Sequence, residues 1–223
     1  LACFGSVIEQ QKYLDLESSI VEKFPDCDVF VSFSSRMVIK LLKKKKNEEY
    51  KNLPQTLADI DMLGYKHVSV VSINIFPTDE HEVLKKIVDG FKHFSLANIS
   101  CTNALLTKTK ETTAFLKDLN EQISKDDTAN LYVIHGTPKL DTIGIDSINY
   151  TASFLELISE KNFTCSLEGA FPYFEINDVI KSRIEKLGLK KVQVVPLLLV
   201  SGNHYIEDMF EIKDDLSDKF ESF

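Results

Sequence analysis

The chain runs to 223 residues, 43% hydrophobic and 27% charged, a make-up that excludes a disordered or collagen-like protein. Its 26 basic against 34 acidic side chains leave a net charge of −8, which speaks against unspecific attraction to nucleic acid or to an anionic membrane surface. At about 150 residues per domain, one large domain and two small lobes both fit.

Residues 1–4 read as a strand from the first position, with no basic or long apolar stretch ahead of them. No targeting peptide is therefore expected, and the cytoplasm is the expected compartment. A helical pattern over 7–24, with Ile20, Val21 and Phe24 at helical spacing, leads to a strand at 28–33. Helices over 36–45 and 53–63 follow; the lysines at 43–46 form the solvated end of the first. Next come a strand at 68–76, a helix at 80–91, a strand at 94–100 and a helix at 111–123. The remainder reads as a strand at 130–134, a helix at 147–161 and a strand at 163–167. A helix at 177–187, with Val179, Ile180, Ile184 and Leu187 on one face, precedes a strand at 192–200. That last run is the most apolar, yet Gln193 and Pro196 interrupt it and it falls far short of the ~20 residues of a membrane helix, so no span is expected. The acidic tail 207–223 spaces Met209, Phe210, Ile212, Leu216 and Phe220 as a docked amphipathic helix would.

Strand and helix in strict alternation imply an α/β fold of mainly parallel sheets flanked by helices. An internal echo divides it. GYKHVSVVSINIFPTDEH from Gly64 aligns without gaps on GLKKVQVVPLLLVSGNHY from Gly188, and ACFGS at Ala2 resembles YVIHGT around His135. In the first pair both segments read as a helix-terminating glycine, a basic turn, a buried strand and a polar loop. Two similar lobes are expected, 1–123 and 124–223, joined by the polar stretch 124–129; the second lobe carries the site and the acidic terminal helix.

Ligands of open α/β sheets sit beyond the carboxyl ends of the strands. That rule singles out the loops at 4–6, 77–80, 135–137, 168–171 and 201–204. Three of them offer a metal-ligating side chain: His135, Glu168 and His204. Two imidazoles and a carboxylate suit a borderline-soft divalent ion such as Co2+, Ni2+, Fe2+ or Zn2+, with an open coordination position. His67, His81 and His93 read as surface positions. Cys3, Cys27, Cys101 and Cys165 lie far apart with no C-x-x-C pair, as expected of buried free thiols in a reducing compartment. No phosphate-binding G-x-x-x-x-G-K-[ST] loop, dinucleotide fingerprint or G-x-S-x-G elbow is present, so no nucleotide is implied.

Several stretches carry a resemblance: ACFGS at Ala2, FSSRMVIKLL at Phe33, GYKHVSVVSINIFP at Gly64, VIHGT at Val133, LEGAFP at Leu167 and VVPLLLVSGNHYIEDM at Val194. Together they resemble the anaerobic sirohydrochlorin cobalt chelatases, class II chelatases of two-lobed fold. The resemblance implies insertion of a divalent metal, Co2+ first, into sirohydrochlorin during cobalamin or tetrapyrrole biosynthesis, without nucleotide. It also implies that His135, Glu168 and His204 bind the metal and handle the pyrrole protons. Main-chain N–H groups near Gly5, Ser6, Gly136 and Gly202 could then accept the substrate's carboxylates, in a cleft that holds the flat macrocycle.

The family has histidine where Asn74 stands and glycine where Thr78 stands, and PKLDTIGIDSINY replaces a shorter segment that holds a second histidine. These differences bear on the choice of tetrapyrrole. Insertion or removal of iron in haem or another porphyrin stays open, as does a protein that carries metal or tetrapyrrole without turnover. No nucleic-acid or membrane partner is expected, and a homo-oligomer is left open.

Overall fold

The structure, a computed structural model, describes residues 1–198 and 203–223, the latter without the side chains of 203–205. The described chain forms two compact units, Leu1–Ala104 and Leu105–Leu198 with Asn203–Phe223.

In the first unit, β1 (Ala2–Cys3) pairs in parallel with β2 (Ser32–Phe33), and β3 (His67–Val70) with β4 (Asn98–Cys101). A bridge from Ala2 to Ser72 links the two pairs, with Ala2 N–H on Val71 O and Ile73 N–H on Ala2 O, both at 2.9 Å. The helices are α1 (Gln10–Lys23), α2 (Arg36–Lys46), α3 (Leu53–Met62) and α4 (Asp79–Lys92). Local chemistry starts two of them. Ser35 Oγ accepts the Val38 N–H ahead of α2, and Asn52 and Gln55 form a reciprocal capping box ahead of α3. One core cluster holds Leu53, Leu57, Val70, Leu84, Val88 and Ile99, the other Cys3, Tyr13, Phe33, Val38 and Leu42.

The second unit repeats this connectivity more fully. Here α5 (Thr109–Ile123) leads into β5 (Thr128–Thr137), then α6 (Ile145–Ile158), β6 (Asn162–Gly169), α7 (Tyr173–Lys186), β7 (Lys191–Pro196), α8 (Asn203–Ser217) and β8 (Glu221–Ser222). The sheet order is β6-β5-β7-β8, parallel throughout. The glycines of the internal echo behave as read: Gly64 and Gly188 follow α3 and α7 in the left-handed region, at φ 76 and 71.

Three readings shift. The unit boundary lies at 104–105, ahead of the expected 123–124, because α5 is tied into the second unit. Asn120 Oδ1 accepts from Asn162 Nδ2 at 2.8 Å and from the Tyr132 hydroxyl at 3.1 Å, and Thr113 and Tyr150 share a hydroxyl bond at 2.7 Å. Only Cys3 and Cys165 are buried, with burial pushing both thiols up to about 12; Cys101 is half-buried and Cys27 exposed. His81 is no surface residue. It is 2% exposed, shares the inward face of α4 with Leu84 and Val88, and places Nδ1 2.8 Å from Ser72 Oγ. Burial, then Lys85, holds this ring below the ordinary histidine range.

One ion pair secures α8 on α7. Lys181, 6% exposed, meets Asp215 at 2.7 Å, and the same carboxylate accepts from Tyr173 OH at 2.7 Å and Asn177 Nδ2 at 3.2 Å. Burial alone would raise the Asp215 carboxyl; the bonds from Lys181, Tyr173 and Asn177 outweigh it and hold the group below the usual carboxylate range. A depressed carboxylate stabilises the fold above its unfolded-state value near ~4 and loses that stabilisation as pH falls through the lower folded value. Asp215→Ala is therefore expected to cost about 2 kcal/mol near neutral pH, because it leaves a buried ammonium unpaired. In urea titrations the gap to the parent should narrow as pH falls below ~4 and close only once pH has passed the lower folded-state value, where the parent carboxyl is itself protonated; a gap independent of pH would show that the charge plays no part.

Candidate functional site

Residues 128–134 of β5 are all buried, and exposure begins at His135. On the neighbouring β6 exposure likewise begins at the carboxyl end, at Glu168. The register pairs Ile134 with Ser166, Gly136 with Glu168 and Thr137 with Gly169. In an unbroken pleat, paired Gly136 and Glu168 share a face and His135 points the other way. The pleat is broken here: Gly136 and Gly169 are left-handed, at φ 83 and 79. His135 Nδ1 and Glu168 Oε1 thereby come within 3.5 Å, with both side chains at least half exposed.

Two interlocked glycines make this approach, and neither tolerates a side chain. A Cβ on Gly136 would stand 1.9 Å from the Glu168 carbonyl oxygen, and one on Gly169 would stand 1.6 Å from the Thr137 carbonyl oxygen. Past Gly169 the loop folds back on its own strand. Ser166 N–H donates to Phe171 O at 3.0 Å and Ser166 Oγ to Ala170 O at 2.7 Å, and Ser166 bridges to Pro172. The strand-end rule singled out the loop 168–171 but gave no role to Phe171, whose φ is 61, or to Ser166; a serine inside an apolar strand and an ordinary phenylalanine give no signal of a locked turn.

The other expected site residues fall as follows. His204 is the second residue of α8, and its side chain lies outside the described residues, as does Gly202 altogether. Among the described residues no group of three His, Cys, Asp or Glu side chains forms a cation cage, so the described part of the site is the His135–Glu168 pair. In the first unit the Gly5 N–H is already directed to Tyr13 OH at 3.0 Å, while Ser6 Oγ accepts from Ile8 and Glu9 N–H at 3.2 and 3.0 Å. Gly136 lies in the pair's own turn. Asn74, where the resemblance has histidine, donates Nδ2 to Ser72 Oγ at 3.0 Å and lines a cavity of about 160 Å3 with Ser34, Arg36, Asn52 and Glu80.

An imidazole and a carboxylate side by side, both open to solvent, can share one divalent ion or pass protons between a bound molecule and water. The cobalt chelatase family model (CbiK) matches residues 1–222. The chain belongs to that family. It is thus a metal chelatase, a reading made here on ACFGS, VIHGT, LEGAFP and the motif ending in His204 and Asp208-Met209. A relative from Salmonella typhimurium (strain LT2), named sirohydrochlorin cobaltochelatase, is 22% identical over 197 residues, covering 86% of this chain and 71% of its own. Two solved structures share the chelatase's fold. SirB from Bacillus subtilis with Fe3+ superposes with a TM-score of 0.63 at 16% identity, over 98% of this chain and 82% of the other. The sirohydrochlorin chelatase SirB from Bacillus subtilis subspecies spizizenii, in complex with cobalt, gives 0.58 at 14% identity, over 99% and 83%. Among its described residues the chelatase has no helix long and apolar enough to cross a membrane.

Proposed function

We propose that this chelatase inserts a divalent metal into sirohydrochlorin, with Co2+ as its first metal: free macrocycle and M2+ give the metallated macrocycle and two protons. The observation that carries the reading is the approach of His135 and Glu168 to 3.5 Å at the exposed ends of adjacent parallel strands. The Salmonella relative's name supports the choice of macrocycle and metal.

Insertion needs the ion's water stripped, two pyrrole N–H protons removed and the ring bent toward the metal. A neutral imidazole supplies one nitrogen, either as metal ligand or as proton acceptor. The Glu168 carboxylate offsets the cation's charge and takes up protons, and its exposure lets them pass to water. His204, at the start of α8, is assigned as the second imidazole. A hard, oxygen-preferring ion would favour more carboxylates than this set holds, whereas Co2+, Ni2+, Fe2+ and Zn2+ accept mixed nitrogen and oxygen donors. Gly136 and Gly202 are assigned to the substrate's peripheral carboxylates; the Gly5 N–H is taken by Tyr13 OH, and the Ser6 hydroxyl accepts from the Ile8 and Glu9 N–H groups.

Anaerobic incubation of the protein with sirohydrochlorin and each of the four metals tests the reading. Catalytic conversion of the absorption spectrum, fastest with Co2+, is expected. Stoichiometric binding without turnover would replace the enzyme with a carrier, and turnover confined to haem or another porphyrin would replace the substrate.

A further inference from the structure

We infer that Phe171 is a stacking platform for the flat face of the tetrapyrrole, an assignment that rests on the proposed function above. Its backbone is left-handed at φ 61, a conformation that an aromatic L residue rarely adopts and keeps only where its surroundings over-determine it. The surroundings do so. Ser166, 3% exposed, holds the carbonyls of both Ala170 and Phe171, and Gly169 is pressed against the Thr137 carbonyl. Phe171 is 64% exposed and, among the described residues, makes no ring contact, whereas the neighbouring Tyr173 and Phe174 meet edge to face at 5.1 Å.

Position identifies the occupant. The platform follows Glu168 by three residues on a loop tied back to its own strand through Ser166, and the segment leaving adjacent β5 carries exposed Leu140 and Ile143. The two neighbouring strand ends thus each join a polar metal-seeking group to exposed apolar side chains. A tetrapyrrole has the matching division, with nitrogens at its centre and extended π faces around them. A ring on a locked backbone has only two side-chain torsions left to immobilise, so stacking costs it little order.

Phe171→Asn and Phe171→Gly accept the left-handed backbone without the ring, while Phe171→Trp keeps a ring. Metal-free sirohydrochlorin titrated into each protein, followed by absorption, is expected to give a Kd raised about five- to tenfold in the two ringless variants and within about twofold of the parent for Trp. Melting temperatures should stay within about 3 °C of the parent, and Co2+ binding without pigment should be unchanged. A parent that binds sirohydrochlorin alongside ringless variants of equal affinity overturns the platform and leaves the chelatase reading standing. A parent that does not bind sirohydrochlorin overturns both.

Discussion

Alanine at position 135 is expected to lower cobalt insertion by about 10²-fold or more, the usual scale for a group that accepts a proton in the rate-limiting step or ligates the ion. The effect should be confined to turnover. His135 is 64% exposed in its side chain and, among the described residues, its polar contacts are a 3.5 Å approach to Glu168 and a 3.4 Å contact with its neighbour's carbonyl, so its loss removes little packing. Glu168→Gln keeps the shape and removes the charge; it should slow insertion by roughly tenfold or more while sirohydrochlorin still binds. Groups that act as a unit lose their joint contribution at the first substitution. The His135→Ala, Glu168→Gln double variant is therefore expected to be little slower than His135→Ala alone. Initial rates read from the sirohydrochlorin spectrum under anaerobic conditions decide this, with melting curves to confirm folding. Near-normal turnover in His135→Ala would remove that residue from the chemistry, and fully multiplicative losses would mean that the two side chains work independently. His204→Ala is the companion variant, with the same expected loss.

Gly169→Ala is expected to be the most damaging single-methyl addition in the second unit. The new Cβ would overlap the Thr137 carbonyl at 1.6 Å, and the backbone at φ 79 already disfavours a side chain. A shift of β5 is opposed by its burial between β6 and β7, and a shift of edge strand β6 would break the register that pairs Thr137 with Gly169. Overpacking against main chain together with a left-handed L residue puts the cost at about 3 kcal/mol or more. The turn must open to relieve it, which separates His135 from Glu168, so insertion should fall together with thermal stability. Gly136→Ala, facing the Glu168 carbonyl at 1.9 Å, should behave alike. Gly90 supplies the contrast: it lies inside α4 with nothing within 4 Å of an added Cβ. There alanine should stabilise by about 0.5–1 kcal/mol and leave turnover intact. A Gly169→Ala protein that melts and turns over like the parent would mean that the two turns are not interlocked as described.

Much of this architecture was legible because apolar spacing reports local structure directly. The alternation of strand and helix, the left-handed glycines at 64 and 188, and the amphipathic tail that becomes α8 all followed from pattern. Boundaries followed less well. The strand expected over 28–33 shrinks to Ser32–Phe33, and β8, two residues long, was missed, because so short a pairing is made by its partner strand and leaves no periodicity. His81 was misplaced for a related reason: its first-turn position suggested solvent, whereas its spacing to Leu84 and Val88 puts it on the packed face.

Composition and periodicity were enough to imply a parallel α/β protein, the strand-end rule nominated His135 and Glu168 from loops more than thirty positions apart, and the resemblance of the motifs pointed to the cobalt chelatase family that the family model then matched. Nothing in the linear order says that those loops touch. That depends on β5 and β6 being neighbours in a particular register, and on two glycines entering a left-handed conformation that breaks the pleat and turns an imidazole and a carboxylate toward each other. Periodicity is a property of one segment, whereas register and close approach are properties of two segments packed together, so the motif names the groups and the pairing of strands makes them a site.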